Sequence, residues 1–156
     1  MPRKKLTYTH LFPYHICARA NNKQNFPLPT YDMWRITTKL LNKASLKYKI
    51  HIHAYVLMSN HYHLVASTHE DFNIGKVMCW LQTSISKAVN HKTQRVNHVF
   101  GGTYKASLIT SPIYFANVIK YVYRNPVKAN LCGNVENYKF STLKYILRQA
   151  GLLTFS

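Results

Sequence analysis

The chain has 156 residues, enough for one domain with a true hydrophobic core, and 47% of them are hydrophobic, which excludes a mostly disordered chain. Twenty-one Lys and Arg stand against four Asp and Glu, a net charge of +17, so a polyanionic partner is expected. Four carboxylates (Asp32, Glu70, Asp71 and Glu136) are too few for a carboxylate-caged pair of catalytic metals, so phosphoryl chemistry here needs another nucleophile.

Residues 1–13 are basic and carry two prolines, and read as an arm. They lack the apolar run of a signal peptide, and no segment has the length of a membrane span, so a cytoplasmic protein with no membrane partner is expected. HICARA (15–20) reads as a strand and NNKQNFPLP (21–29) as a loop. Thr30 is a candidate N-cap for a helix to about Lys47, with Met33, Ile36, Leu40 and Leu41 as its apolar stripe. Residues 50–58 and 61–67 read as two strands joined at Ser59–Asn60. Asp71 is the candidate cap of a helix over 72–91. A polar loop ends at Gly101–Gly102, and 103–110 reads as a fourth strand. Ser111 with Pro112 is a helix start, and Pro126 predicts the end of that helix near Asn125. Ser141 opens a last short helix that Gly151 can close. Cys17, Cys79 and Cys132 are scattered and suggest neither a disulfide framework nor a cysteine zinc site. The order gives an α+β fold: a ferredoxin-like or RRM-like antiparallel βαββαβ sheet with additional C-terminal helices.

Two features carry chemistry. In VLMSNHYHLVAS, His61 and His63 sit two apart on a strand, on one face and about 6.6 Å between Cα atoms, so both imidazoles can reach one ion. A second pair, His51 and His53, is placed on the opposite face by a two-residue turn at Ser59–Asn60, since His53 then faces Ala66. A four-histidine zinc cluster is therefore not expected. In SPIYFANVIKYVYRNPVKANL (111–131), Phe115, Val118, Ile119 and Val122 form one helix face. Tyr121 and Asn125 share one shoulder of it, and Tyr123 points from the other. A phenol can serve as nucleophile where cations and a polarised phosphate assist it, and an amide oxygen can ligate a hard cation. Geometry alone leaves this reading level with a structural tyrosine and a C-terminal asparagine.

His61-Tyr62-His63 after AYVLMSN, then FGGTYKASLI, then YVYRNPVKANL, resemble the HUH single-tyrosine transposases, and most of all the REP-associated branch. PYHICARANNKQNF resembles that family's first strand, so the likeness runs from Tyr14 to Leu131. Ser59, Tyr62 and the KANL segment depart from the family's usual residues without removing a chemical group. The resemblance implies a DNA strand transferase acting through a 5′-phosphotyrosine. Tyr121 matches its nucleophile, with Tyr123 the alternative. His61, His63 and Asn125 match the ligands of a divalent metal, Mg²⁺ or Mn²⁺. Lys105, Lys120, Arg124 and Lys128 are candidate phosphate contacts, and Arg3, Lys4 and Lys5 a candidate DNA clamp. Phe100 and Tyr104 could stack on bases. The implied domain is single: arm 1–13, catalytic core 14–131, C-terminal helix and tail 132–156. Implied partners are hairpin-bearing single-stranded DNA and, as in dimeric relatives, a second copy of the chain. The competing readings are a non-catalytic RRM-like basic nucleic-acid-binding domain and a zinc-stabilised structural domain.

Overall fold

The computed structural model describes residues 5–149. Four strands, β1 (Tyr14–Arg19), β2 (His51–Leu57), β3 (His61–Ser67) and β4 (Lys105–Leu108), form one antiparallel sheet in the order β2-β3-β1-β4. That order follows from the chain's connections. The Ser59–Asn60 turn pairs β2 with β3, with the carbonyl of His61 accepting from the Met58 N–H at 2.8 Å. The helices α1 (Thr30–Tyr48) and α2 (Ile74–Thr93) carry the two crossovers. The α+β, ferredoxin-like expectation holds.

β3 is central, and its residues from Tyr62 to Ala66 are all buried because both faces of the sheet are covered. On one face Ile16, Leu64 and Ala66 pack with Met33 and Leu41 of α1 and Val77, Leu81 and Ile85 of α2. On the other, Ala54, Val56 and Val65 pack with Val118 and Val122 of α3 (Pro112–Lys128). The alternation of period two along each strand sorts side chains between these two layers. The paired histidines fall on the α3 layer.

The C-terminal segment closes the open edge of β2. Leu57 N–H donates to the Phe140 carbonyl at 2.9 Å, and Thr142 N–H donates to the Tyr55 carbonyl at 3.0 Å. The Tyr138 hydroxyl donates to the Leu57 carbonyl at 2.6 Å. An otherwise bare strand edge is thereby paired, before the short helix α4 (Leu143–Gln149).

Several local expectations are corrected. α1 begins at Thr30, with Pro29 at the N-cap and no side-chain cap. α2 begins at Ile74, capped by Asn73, whose side chain accepts from Lys76 N–H at 2.9 Å. Asp71 instead pairs with Lys49 at 3.3 Å and His69 at 3.2 Å. α3 does start behind Ser111, whose hydroxyl accepts from Tyr114 N–H, but it runs through Pro126 to Lys128. A proline in the last turn removes one N–H, and the Ala129 and Leu131 amides still close the end on Asn125 and Pro126 carbonyls. α4 begins two residues after Ser141. The Gly151 closure, like Arg3 and Lys4, lies outside the described residues.

Candidate active site on the α3 face of the sheet

His61 and His63 stand on one face of β3, their ring centroids 5.1 Å apart and nearly perpendicular. The hairpin register is as the two-residue turn demands, with Val56 opposite His63. His53 departs from it. Ile52 pairs with Ala66 and Ala54 with Val65, so His53 is the extra residue of a β-bulge. The bulge turns it onto the α3 face, where Nε2 lies 2.7 Å from Ser67 Oγ and the ring packs edge-on against Phe115. The parity argument for His53 is therefore overturned. The two histidine pairs remain apart for another reason: Ser67 lies four residues beyond His63, about 13 Å along the strand. Among the described residues no three His, Cys, Asp or Glu side chains gather as a metal site.

Helix α3 lays Tyr121 against the histidines. Its ring centroid is 5.7 Å from that of His63, edge-on, within one chain. The residue is 44% exposed, so part of its side chain is open to solvent. Lys128, two turns on, sits over the Tyr121 ring at 5.2 Å. Tyr123 is the opposite case: it is 6% exposed, and its hydroxyl is bound to Thr142 Oγ1 at 2.9 Å. Burial raises its pKa. The structure thus separates two tyrosines that the sequence left in competition. Asn125 follows Tyr121 by one turn; its amide nitrogen donates to the Tyr121 carbonyl at 2.9 Å, and among the described residues Oδ1 has no hydrogen bond.

Two participants were missed in the sequence. His15 on β1 lies with Nε2 2.9 Å from His63 Nδ1, its ring stacked on His63 at 5.2 Å and edge-on to Tyr121 at 5.9 Å. Arg19 stands opposite His61 in the β1–β3 ladder. Both belong to the period-two face of β1 that includes Cys17, directly opposite His63. Only the register of β1 on β3, set by tertiary packing, brings them here. The alternation of HICAR was the one available hint.

The imidazoles are held neutral. Burial, aided by the Arg19 charge, lowers His61 to about 4. Burial, with His15, His61 and Arg19 as lesser causes, lowers His63 to about 3. His61 Nδ1 lies 2.6 Å from Asn60 Oδ1, so that nitrogen carries the proton. Among the described residues neither ring's Nε2 has a hydrogen bond, and with the proton of each ring on Nδ1 both Nε2 atoms offer a lone pair on one face. This donor set fits a hard divalent ion loosely held, with coordination positions left over for phosphate oxygens.

Folded-state pKa values below the ordinary value near 6.5 have a consequence for stability. The unfolded chain takes up protons first as pH falls, so stability is complete above about 6.5 and is lost as the pH drops toward 4 and 3. His15 and His53, also lowered by burial, add to the same window. Metal-free protein should therefore show a urea midpoint that declines steadily between pH 7 and 4.5. A level midpoint over that range would contradict the burial of these rings.

Of the other candidates, Lys105 on β4 stands opposite Cys17, on the histidine face, while Lys120 and Arg124 are exposed on α3. Phe100 packs edge-on against Phe26 and Tyr62, and Tyr104 packs against the same core, each remaining half-buried. Lys5 is exposed. No described helix is long and apolar enough to cross a membrane.

Comparison with known proteins completes this picture. The family model of IS200-like transposases matches residues 8–125. No curated protein matches the chain. Among solved structures, a REP-associated tyrosine transposase bound to a REP hairpin superposes with a TM-score of 0.79 at 20% identity, covering 99% of this chain and 89% of that one. A candidate transposase from Deinococcus radiodurans gives 0.52 at 11% identity, over 78% of this chain and 94% of that one. At these identities the structural likenesses establish the fold.

Proposed function

Because the chain belongs to the IS200-like transposase family, with the family model covering residues 8–125, we propose that it cleaves and rejoins single-stranded DNA beside hairpins through a 5′-phosphotyrosine on Tyr121. The observation that carries this reading is the half-exposed Tyr121 ring standing 5.7 Å from the neutral His63 within one chain. The Tyr121 oxygen attacks the scissile phosphorus in line. The P–O3′ bond breaks as the P–O(tyrosine) bond forms; the phenol gives up its proton to solvent, and the departing oxygen takes one to become a 3′-hydroxyl. The phosphodiester energy stays in the tyrosine ester, so a second 3′-hydroxyl can reverse the step and join new DNA. Lys128 over the ring offsets charge as it develops. His15 keeps His63 in one orientation through the 2.9 Å contact.

A Mg²⁺ or Mn²⁺ ion held by His61, His63 and Asn125 would polarise a nonbridging oxygen of the phosphate. Lys105, Lys120 and Arg124, with Lys5 from the arm, supply cationic contacts for the DNA backbone. The REP hairpin bound by the structural neighbour supports a hairpin substrate. A tyrosine and histidines that meet within one chain support a monomer as the working unit. The RRM-like binding alternative has less support because α1 and α2 cover one sheet face and α3 packs over β2 and β3 on the other, which narrows the platform for stacked bases. The four-histidine structural zinc site loses ground because the pairs lie apart.

The test is covalent capture. Hairpin-bearing single-stranded DNA incubated with protein and Mg²⁺ or Mn²⁺ should give a protein–DNA adduct on a denaturing gel, and none with chelator. Tight binding with no adduct under any metal would overturn the reading.

A further inference from the structure

A cleft of about 730 Å³ lies away from Tyr121, between the C-terminal half of α2 and the loop 94–102. That volume is typical of a ligand site. Lys87 on α2 and Arg95 and His98 on the loop line it, together with the amides of Gln82, Asn90 and Asn97. None of the chain's four carboxylates does. The cleft is therefore cationic and rich in amide donors and acceptors, the chemistry of a phosphate backbone with base edges.

The cleft is also built rather than incidental. Gln94 takes a left-handed conformation that ends α2, and Arg95 N–H returns to the Asn90 carbonyl at 3.0 Å. The Asn90 side chain donates to the Asn97 carbonyl at 3.0 Å. Val99 is buried, and its carbonyl accepts from Asn21 N–H. Gly101 N–H then donates to the Arg19 carbonyl at 3.1 Å. Gly102, at φ +149, turns the chain toward β4 in a backbone region that side chains rarely adopt. Arg19 is the residue opposite His61. The loop is thus tied to the end of the sheet that carries His61, and the exposed Arg19 stands between the two places.

We propose that this cleft is a second DNA subsite, which binds the single strand flanking the cleaved phosphate after it passes His61 and rounds the sheet end at Arg19. The inference rests on the strand-transfer reading for its substrate, and extends it from the scissile phosphate to several nucleotides beyond. Continuity with Arg19 favours a polynucleotide over a free nucleotide, which would need no such path.

The test measures binding by fluorescence anisotropy in a Tyr121→Phe background, with a hairpin carrying a long single-stranded flank and the same hairpin without one. The double variant Lys87→Ala/Arg95→Ala should bind the flanked DNA about tenfold more weakly, with a salt slope shallower by about 1.4, at roughly 0.7 per lost phosphate contact. The bare hairpin should be unaffected. Lys87→Glu, at an exposed helix position, should weaken flanked DNA further and guards against a folding artefact in the loop. Unchanged affinity and slope for flanked DNA would overturn the proposal, as would a mononucleotide that competes as well as the flank. Capture by protein retaining Tyr121 is scored separately: its failure removes the strand-transfer reading and leaves the binding result standing.

Discussion

Tyr121→Phe should abolish covalent capture of DNA, by a factor of about 10³ or more, while leaving DNA affinity and folding nearly unchanged. The substitution removes the hydroxyl of a half-exposed residue and leaves the ring contacts in place, so nothing else in the site has reason to move. Tyr123→Phe should do the reverse. It deletes the hydroxyl bound to Thr142 Oγ1, at a cost of about 1 kcal/mol in stability, and keeps capture. The cost is modest because Thr142 Oγ1 still accepts from Tyr55 N–H at 2.9 Å. Denaturing gels and urea melts on both variants decide the matter. Capture that survives in Tyr121→Phe but disappears in Tyr123→Phe would move the nucleophile to the buried ring and require α3 to rotate.

His63→Ala should lower the rate of capture by about 100-fold or more, and His61→Ala similarly, because each removes one of the two nitrogen ligands proposed for a single ion. His15→Ala leaves both lone pairs in place and removes the partner that orients His63. It should raise the Mn²⁺ concentration for half-maximal capture by about 10-fold to 100-fold, with capture recovered at high metal. His15→Gln, whose amide can still meet His63 Nδ1, should restore much of the loss. This metal titration separates positioning from mere packing, since a packing defect would lower stability without moving the metal midpoint. An unchanged midpoint in His15→Ala would end the positioning role.

These expectations draw on very different parts of the molecule. The pair His61–His63 was legible because a strand puts residues i and i+2 on one face whatever surrounds it. The start of α3 was legible because a serine hydroxyl and an N1 proline act on their own turn. Asp71 was misread as a cap because its carboxylate had a competing use: Lys49 and His69 come from other elements and claim it. The end of α3 was placed too early because the local penalty at Pro126 is offset by tertiary packing, Pro126 itself being buried. The bulge at His53 follows no local signal, since one extra residue in a ladder is settled by which side chains the two layers accept. His15 and Arg19 are the extreme case: forty-odd residues separate them from the histidines, and only strand registry makes them neighbours.

By itself the sequence determined the positive field, the order of strands and helices, and the chemical groups from which the proposed site is drawn. Those depend on composition, on periods of two and 3.6, and on contacts within a few residues. Tertiary structure alone decided which tyrosine meets the histidines, which histidine supports them, and that a cationic cleft adjoins the same end of the sheet. These outcomes depend on strand register and on the side from which a helix is buried, and both are chosen by the fit of the whole core.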